Sequence, residues 1–383
     1  MRLLFTALLC AAALLALPAA AEDYYAPRDW SKDSKGKMNI SAYLFRDMNR
    51  NGIYDLPDRP MEDIVVEMTR PNGETAIRRT NSNGFGNFSM SLHDEKAMIR
   101  EEGDYSFDVI VPEGWSITTG HKVQTKAFRF FPGAVGDMVA DPPFIAVGLA
   151  QDFRVYGRVA DAEPGSRVTL SDAAGDTQSG ALAEDGAFSL ATGAGPWTLA
   201  VDYGESGARV ERSLAARNTR VQVAAIRRGS EPAPQAHEVV ADFEGITEKN
   251  LREMPNGVAG LMWWNVVALR VDIAYTNNAM SGHYIAYNSS GHPARIYHEA
   301  PFDFAGGYFG VAWARANGET LRLRGWRGET LVYEDEIELS YLGPVWFDAD
   351  YRGITRLDLE TAHYWQYVSD DLVFRLPQAP SGN

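Results

Sequence analysis

Cysteine is nearly absent: Cys10 is the only one among 383 residues. It falls inside the first 21 residues, where Arg2, the apolar run Leu3 to Leu17, Pro18 and Ala19-Ala20-Ala21 before Glu22 predict a cleaved secretory signal. Lipidation at Cys10 is not expected, because Leu9 stands where a lipoprotein signal wants a small residue. The exported chain then has neither disulfides nor thiol chemistry, although its compartment permits disulfides. Basic charge is also short, with 36 Lys and Arg against 51 Asp and Glu and a net charge of −15. That balance argues against nucleic acid, whose phosphates need a basic surface. No second apolar run is long enough to span a membrane. The end, from Pro377 to Asn383, reads as a polar tail without an anchor. No nucleophile elbow, phosphate loop or dinucleotide fingerprint is present. His283, His292 and His298 lack the tight spacing of zinc ligands. The expectation is a secreted protein, periplasmic, extracellular or attached to the cell surface.

What is present is oxygen. Residues 47 to 58 place side-chain oxygens at loop positions 1, 3, 5, 9 and 12: Asp47, Asn49, Asn51, Asp55 and Asp58. Gly52 occupies position 6, where the loop must turn, and Ile53 at position 7 offers its carbonyl. Calcium takes six to eight oxygens in a flexible cage, and one short segment supplies them here. Asp58 is shorter than the usual Glu at position 12, which weakens a two-oxygen grip. A structural calcium is the expected cofactor, bracing a chain that has no disulfides.

Strand alternation and turn residues divide the rest into three all-β units. Residues 38–148 alternate through Asn39 to Phe45, Ile64 to Met68, Gly84 to Met90 and Gly103 to Val111, with Gly, Pro and Asn between them, as a small antiparallel sandwich does. Residues 152–228 repeat the plan. Asp185-Gly-Ala-Phe188 echoes Gly86-Asn-Phe88, and Gly195-Pro-Trp197-Thr-Leu199 echoes Gly103-Asp-Tyr105-Ser-Phe107. The second copy lacks the acidic loop. A stiff Glu231 to Ala236 linker leads to residues 238–376, which are rich in aromatics and predict a larger jelly roll. Only Ile246 to Met254 suggests a helical turn.

The first unit resembles the calcium-binding B-type repeats of bacterial surface adhesins. The likeness rests on Ala42 to Phe45, Asp47, Asn49, Asn51, Gly52, Asp55, Asp58 to Met68, Gly84 to Phe88 and Gly103 to Phe107. It implies a spacer or adhesive role rather than catalysis. Tandem copies and a wall-sorting tail are missing. Lys35 and Lys37 precede the first strand, but no asparagine lies between Phe128 and Gly148, which rules out a Lys–Asn crosslink. The second unit looks like the small sandwich attached to carboxypeptidases and transport receptors. The third is similar to C-terminal jelly-roll modules of secreted Gram-negative proteins, near carbohydrate-binding modules, through Val240 to Gly245, Leu261 to Asn265, Ser281 to Tyr284, Phe309 to Trp313 and Val368 to Leu372. Its first and last strands are then neighbours. Asp242, Glu244 and Asp371 would share a second structural calcium, since clustered carboxylates repel without a cation.

Aromatic rings exposed on one face stack on sugars; packed inside, they fill a core. Trp263, Trp313 and Trp365 are expected in the core. Trp264, Tyr284, Tyr287 and Tyr297 are the candidates for a ligand face, beside segments 277–283 and 288–292, whose amides and hydroxyls suit sugar hydroxyls but also ordinary turns. The expected function is non-catalytic binding of an extracellular or matrix polysaccharide by the third unit. Two alternatives stay open: a glycan hydrolase or lyase acting through that unit, which needs paired carboxylates across a cleft, and a purely architectural envelope protein.

Overall fold

The computed structural model describes residues 39–56, 58–90, 95–129, 139–140, 144–229, 236–273, 276–278, 280–288, 290, 292–363 and 366–377. The signal segment, Lys35, Lys37 and Trp365 lie outside them. The protein is all-β, and its sheets pack as sandwiches. Its only helical pieces among the described residues are three 3-10 turns, Val258–Gly260, Thr276–Asn278 and Ala314–Ala316. The helical turn expected between Ile246 and Met254 is instead the strand Leu251–Glu253, paired with Val267–Arg270. No helix among the described residues is long and apolar enough to cross a membrane.

Alternation along each strand selects its inner face. In Gly103–Ile110 the residues Tyr105, Phe107 and Val109 are buried, and in Val65–Thr69 they are Val66 and Met68. The two strands pair in register, Val66 to Val109 and Met68 to Phe107. Facing them, Asn39–Arg46 contributes Ile40, Ala42 and Leu44 to the same core. Asn39–Arg46 lies between Phe85–Ser89, antiparallel to it, and Phe144–Gln151, parallel to it from Ser41↔Phe144 to Arg46↔Leu149.

The second unit reproduces the main strands of this plan, without counterparts of the short strands Arg59–Pro60, Trp115–Ile117 and Val139–Ala140. Arg154–Val159 lies between antiparallel Ala187–Ala191 and parallel Arg220–Ile226. Its other sheet orders Thr177–Ala181, Arg167–Ser171, Trp197–Asp202 and Arg209–Leu214 as the first unit orders Thr75–Arg79, Val65–Thr69, Gly103–Ile110 and Val123–Arg129. The repeat read from the phenylalanine and glycine echoes is therefore a repeat of topology. Each small unit departs from a wholly antiparallel sandwich by one parallel pair.

The third unit is organised by two long strands, Ala294–Val311 and Val345–Thr361, which pair along most of their length and shift register repeatedly between Tyr297 and Gly306. Such bulges bend a strand and let it serve two layers. Ala236–Ala241 pairs with the last strand, Tyr367–Pro377, from Ala236↔Pro377 to Ala241↔Leu372. The sheet does not stop at the linker. Arg220–Ile226 of the second unit runs parallel to Val345–Thr361 through Val221↔Trp346, Gln222↔Phe347 and Val223↔Asp348. The cores interlock too: Tyr308, Trp346 and Val373 pack into the second unit's core, and Leu342 packs against that of the first.

Candidate functional site: an aromatic groove and two carboxylate loops

The oxygen-rich loop follows Asn39–Arg46 and folds on its own acidic residues. Asp47 and Asp58 are 2% and 0% exposed. Asp47 accepts the amide of Asn51 at 3.2 Å on one oxygen and that of Gly52 at 2.7 Å on the other. Asp58 accepts the amides of Met48 at 2.8 Å and Asp55 at 3.1 Å. Asn49 and Asn51 each donate a side-chain N–H to Asp55 at 2.8 Å. Gly52 has φ 74, and a Cβ there would sit 2.8 Å from the Thr118 carbonyl, so only glycine fits the turn. The Ile53 side chain is half exposed, which leaves its carbonyl as the relevant group.

Burial pushes the Asp58 carboxyl up to about 6; the Met48 and Asp55 amides oppose the rise, and repulsion from Asp47 and Asp55 adds to it. A divalent cation would relieve the repulsion that Asp47 and Asp55 exert on Asp58. Among the described residues no three His, Cys, Asp or Glu side chains converge closely enough to hold a metal by themselves. The side-chain oxygens of Asn49 and Asn51 and the Ile53 carbonyl would have to complete the shell with Asp47, Asp55 and Asp58. The two asparagines would have to turn oxygen rather than nitrogen toward Asp55.

Asp242, Glu244 and Asp371 lie near enough at the seam between Ala236–Ala241 and the last strand for the first two to repel the third, but they do not converge as the shared metal site expected of them. Burial raises the Asp371 carboxyl, and Asp242 and Glu244 add repulsion. Each already has a partner. One Glu244 oxygen accepts the amides of His283 at 2.7 Å and Tyr284 at 2.8 Å. Asp242 accepts the amide of Glu244 at 3.2 Å, and Asp371 accepts the Ser281 hydroxyl at 3.1 Å. Asp370, missed in the sequence, is more buried and accepts the amides of Met280 at 3.2 Å and Ser281 at 2.9 Å. Burial, with repulsion from Asp371 second, pushes it up to about 7. This cluster pins Met280 and Ser281 to the last strand and His283 and Tyr284 to Glu244.

The aromatic candidates separate. Tyr284 and Tyr287 are 9% and 7% exposed, in a strand whose four residues are all buried. They cannot form a ligand face: residues pointing to both sides of Tyr284–Tyr287 are covered, and the Tyr287 ring meets Trp313 edge-on at 6.5 Å. Trp263 is buried as expected, but Trp313 is 39% exposed and donates its N–H to Gln366 at 2.9 Å.

Trp264 is 54% exposed and shares a groove of about 440 Å³ with Tyr297. Register explains why. Trp263↔Ile296 points into the core, so Trp264↔Arg295 and Met262↔Tyr297 face outward. Arg295 continues to Asp358 and then Arg324; Tyr297 continues to Arg356 and then Trp326. Two adjacent rows thus cross four strands on one outer face. Arg295 lies 5.9 Å from the Trp264 ring and Arg356 4.5 Å from the Trp326 ring. Both arginines pair with Asp358, at 3.1 and 3.2 Å. His298, Glu329 and Thr355 complete the wall. Trp326, Arg295 and Arg356 escaped the sequence reading, although the alternation Arg322, Arg324, Trp326 marks one strand face.

The architecture defines a β-sandwich protein of three interlocked units. No family model matches the chain, and no curated protein does. Among solved structures, the chain is similar to the Bacillus anthracis TIE protein, at 8% identity and a TM-score of 0.22 over 84% of this chain and 43% of that one. It is similar to the K2 adhesin domain of Lys-gingipain, at 12% identity and a TM-score of 0.26 over 37% of this chain and 100% of that one. It is also similar to the tandem CBM22 domains of Paenibacillus barcinonensis Xyn10C, at 12% identity and a TM-score of 0.22 over 70% of this chain and 94% of that one. At these scores none of the likenesses bears on function.

Proposed function

We propose that the protein is an exported, calcium-braced binding protein that holds an extended polysaccharide across the outer face of its third unit. The observation that carries this reading is the groove itself. Trp264 and Tyr297 line it with Arg295 and Arg356, and Trp326 lies on the same sheet face, under Arg356. Rings meet the apolar faces of sugars, and the arginine N–H groups not engaged by Asp358 meet hydroxyls. Three strand steps separate Trp264 from Trp326, roughly 15 Å at ordinary strand spacing, which suits several linked sugars rather than one. The platform is set before the ligand arrives, so little ordering is left for binding to supply. Calcium in the 47–58 loop would stiffen the first unit, which packs against the third.

The reading includes no turnover. Asp358 is held by two arginines, and the one carboxylate that lines the groove, Glu329, sits at its exposed rim. The test is a glycan array on the purified protein, with calcium and with chelator, comparing wild type with Trp264→Ala. Retention of a polysaccharide by wild type and its loss in the variant is the expected result. Release of shortened products would replace binding with catalysis. No hit under either condition would leave an architectural role.

A further inference from the structure

A pocket of about 200 Å³ lies where the three units meet. Arg46 from the first strand, Arg50 from the oxygen-rich loop and Arg217 from the second unit line it, beside Gln151, Asn218 and Thr219. Asp47 is the one carboxylate on this wall, and its oxygens already accept the amides of Asn51 and Gly52. In a chain of net charge −15, this is a locally cationic cavity.

Arg46 is the residue that needs explaining. It is 4% exposed. Its Nη1 reaches the Asn277 carbonyl and the Met280 sulfur, each at 3.5 Å, the outer limit of a hydrogen bond. Its Nε and Nη2 have no acceptor among the described residues, and no carboxylate there pairs with it. Buried guanidinium groups are ordinarily paired, because removing the charge from water is costly. Of its two neighbours, Arg50 is positioned without a carboxylate partner among the described residues. Arg50 donates to the Gln151 carbonyl at 2.9 Å and lies 4.9 Å from the Phe153 ring. Arg217 lies 5.4 Å from the Trp346 ring and makes a long ion pair with Glu238 at 3.8 Å, in the solvent-exposed part of the junction.

We propose that this junction pocket binds an oxyanion, a phosphate, a sulfate or the carboxylate of an acidic sugar, with Arg46 as its buried anchor. The planar fork of a guanidinium presents parallel N–H groups to two oxygens of such a group. The cavity equals the share of roughly six or seven waters, enough for an oxyanion with part of its shell. The bound group would touch Arg46 and Arg50 of the first unit, Arg217 and Thr219 of the second, and sit beside Met280 of the third. It would fasten all three together.

The experiment is thermal denaturation and titration calorimetry of the full chain with inorganic phosphate, sulfate and glucuronate, against chloride at matched ionic strength. At least one oxyanion should raise Tm saturably by several degrees, about the effect of a ligand well above its Kd. Arg46→Met should abolish that rise, yet melt no lower than wild type in anion-free buffer, since an unpaired buried charge has been removed. A response to phosphate or sulfate alone assigns a free ion; a response to glucuronate alone assigns a carbohydrate acid. No response, or an equal response in Arg46→Met, overturns the proposal. Should that variant not fold, Arg217→Gln at the exposed rim should weaken the response about fivefold, and an unchanged titration overturns it equally.

Discussion

One amide joins Asn277 to Glu62. The Glu62 N–H donates to the Asn277 side-chain oxygen at 2.9 Å, and the Asn277 side-chain nitrogen donates back to the Glu62 carbonyl at 3.2 Å. The side chain of the third unit thus pairs with the main chain of the first as a neighbouring strand would. Asn277 is 2% exposed, so neither bond has water to replace it. Asn277→Ala should cost about 1–3 kcal/mol, the usual penalty for stranded buried polar groups. Denaturant unfolding measures the loss. A change within error would mean that the junction contributes nothing to stability.

Trp264→Ala should weaken polysaccharide binding about tenfold, ~1.4 kcal/mol, and leave Tm nearly unchanged, because the ring is half in solvent. Tyr284→Phe should do the reverse. Its hydroxyl donates to the Lys249 carbonyl at 3.2 Å inside the fold, so stability falls and binding stays. Affinity electrophoresis beside melting curves separates the two effects.

Calcium should raise Tm, by a stabilisation of about 2.7 kcal/mol at a hundred times its Kd. Asp55→Ala is the cleanest variant, since Asp55 accepts only the side-chain amides of Asn49 and Asn51 in the exposed part of the loop. It should cost little in chelator and erase most of the calcium-dependent gain. Equal losses with and without calcium would show that the loop holds no ion.

The Asp370 carboxyl titrates at about 7 in the fold, against an ordinary value of 3.8. The folded chain binds this proton more tightly than the unfolded chain. Its stabilising contribution is therefore complete below about 4 and is lost as pH rises through about 7. Asp58, raised to about 6, adds to the same slope in metal-free protein. Tm of the metal-free chain should fall between about pH 4 and pH 7, and Asp370→Asn should flatten the upper part of that fall. A slope unchanged by the substitution would exclude Asp370 as its source.

The strands were legible because alternation is local. Tyr105, Phe107 and Val109 announce an inner face without any partner being known. The repeat was legible for the same reason, in the spacing around Phe88 and Phe188. Tyr284 and Tyr287 misled because their neighbours are amide-rich and polar, while both faces of their strand are covered, which no local pattern reveals. Trp313 misled in the opposite sense, since it stands where the strand Ala294–Val311 has already ended. Half of the groove was visible in Trp264 and Tyr297. The other half depends on the register that sets Arg356 beside Trp326, a pairing between segments 30 residues apart in sequence. The charge of Asp370 was plain, but not the burial that alters it.

The splice between Arg220–Ile226 and Val345–Thr361 carries a mechanical meaning. A polymer tugging on Trp264 would not swing the last unit about a hinge. The load would pass sideways through the interstrand hydrogen bonds directly into the middle of the chain, and the Trp264 face would keep its aim while being pulled.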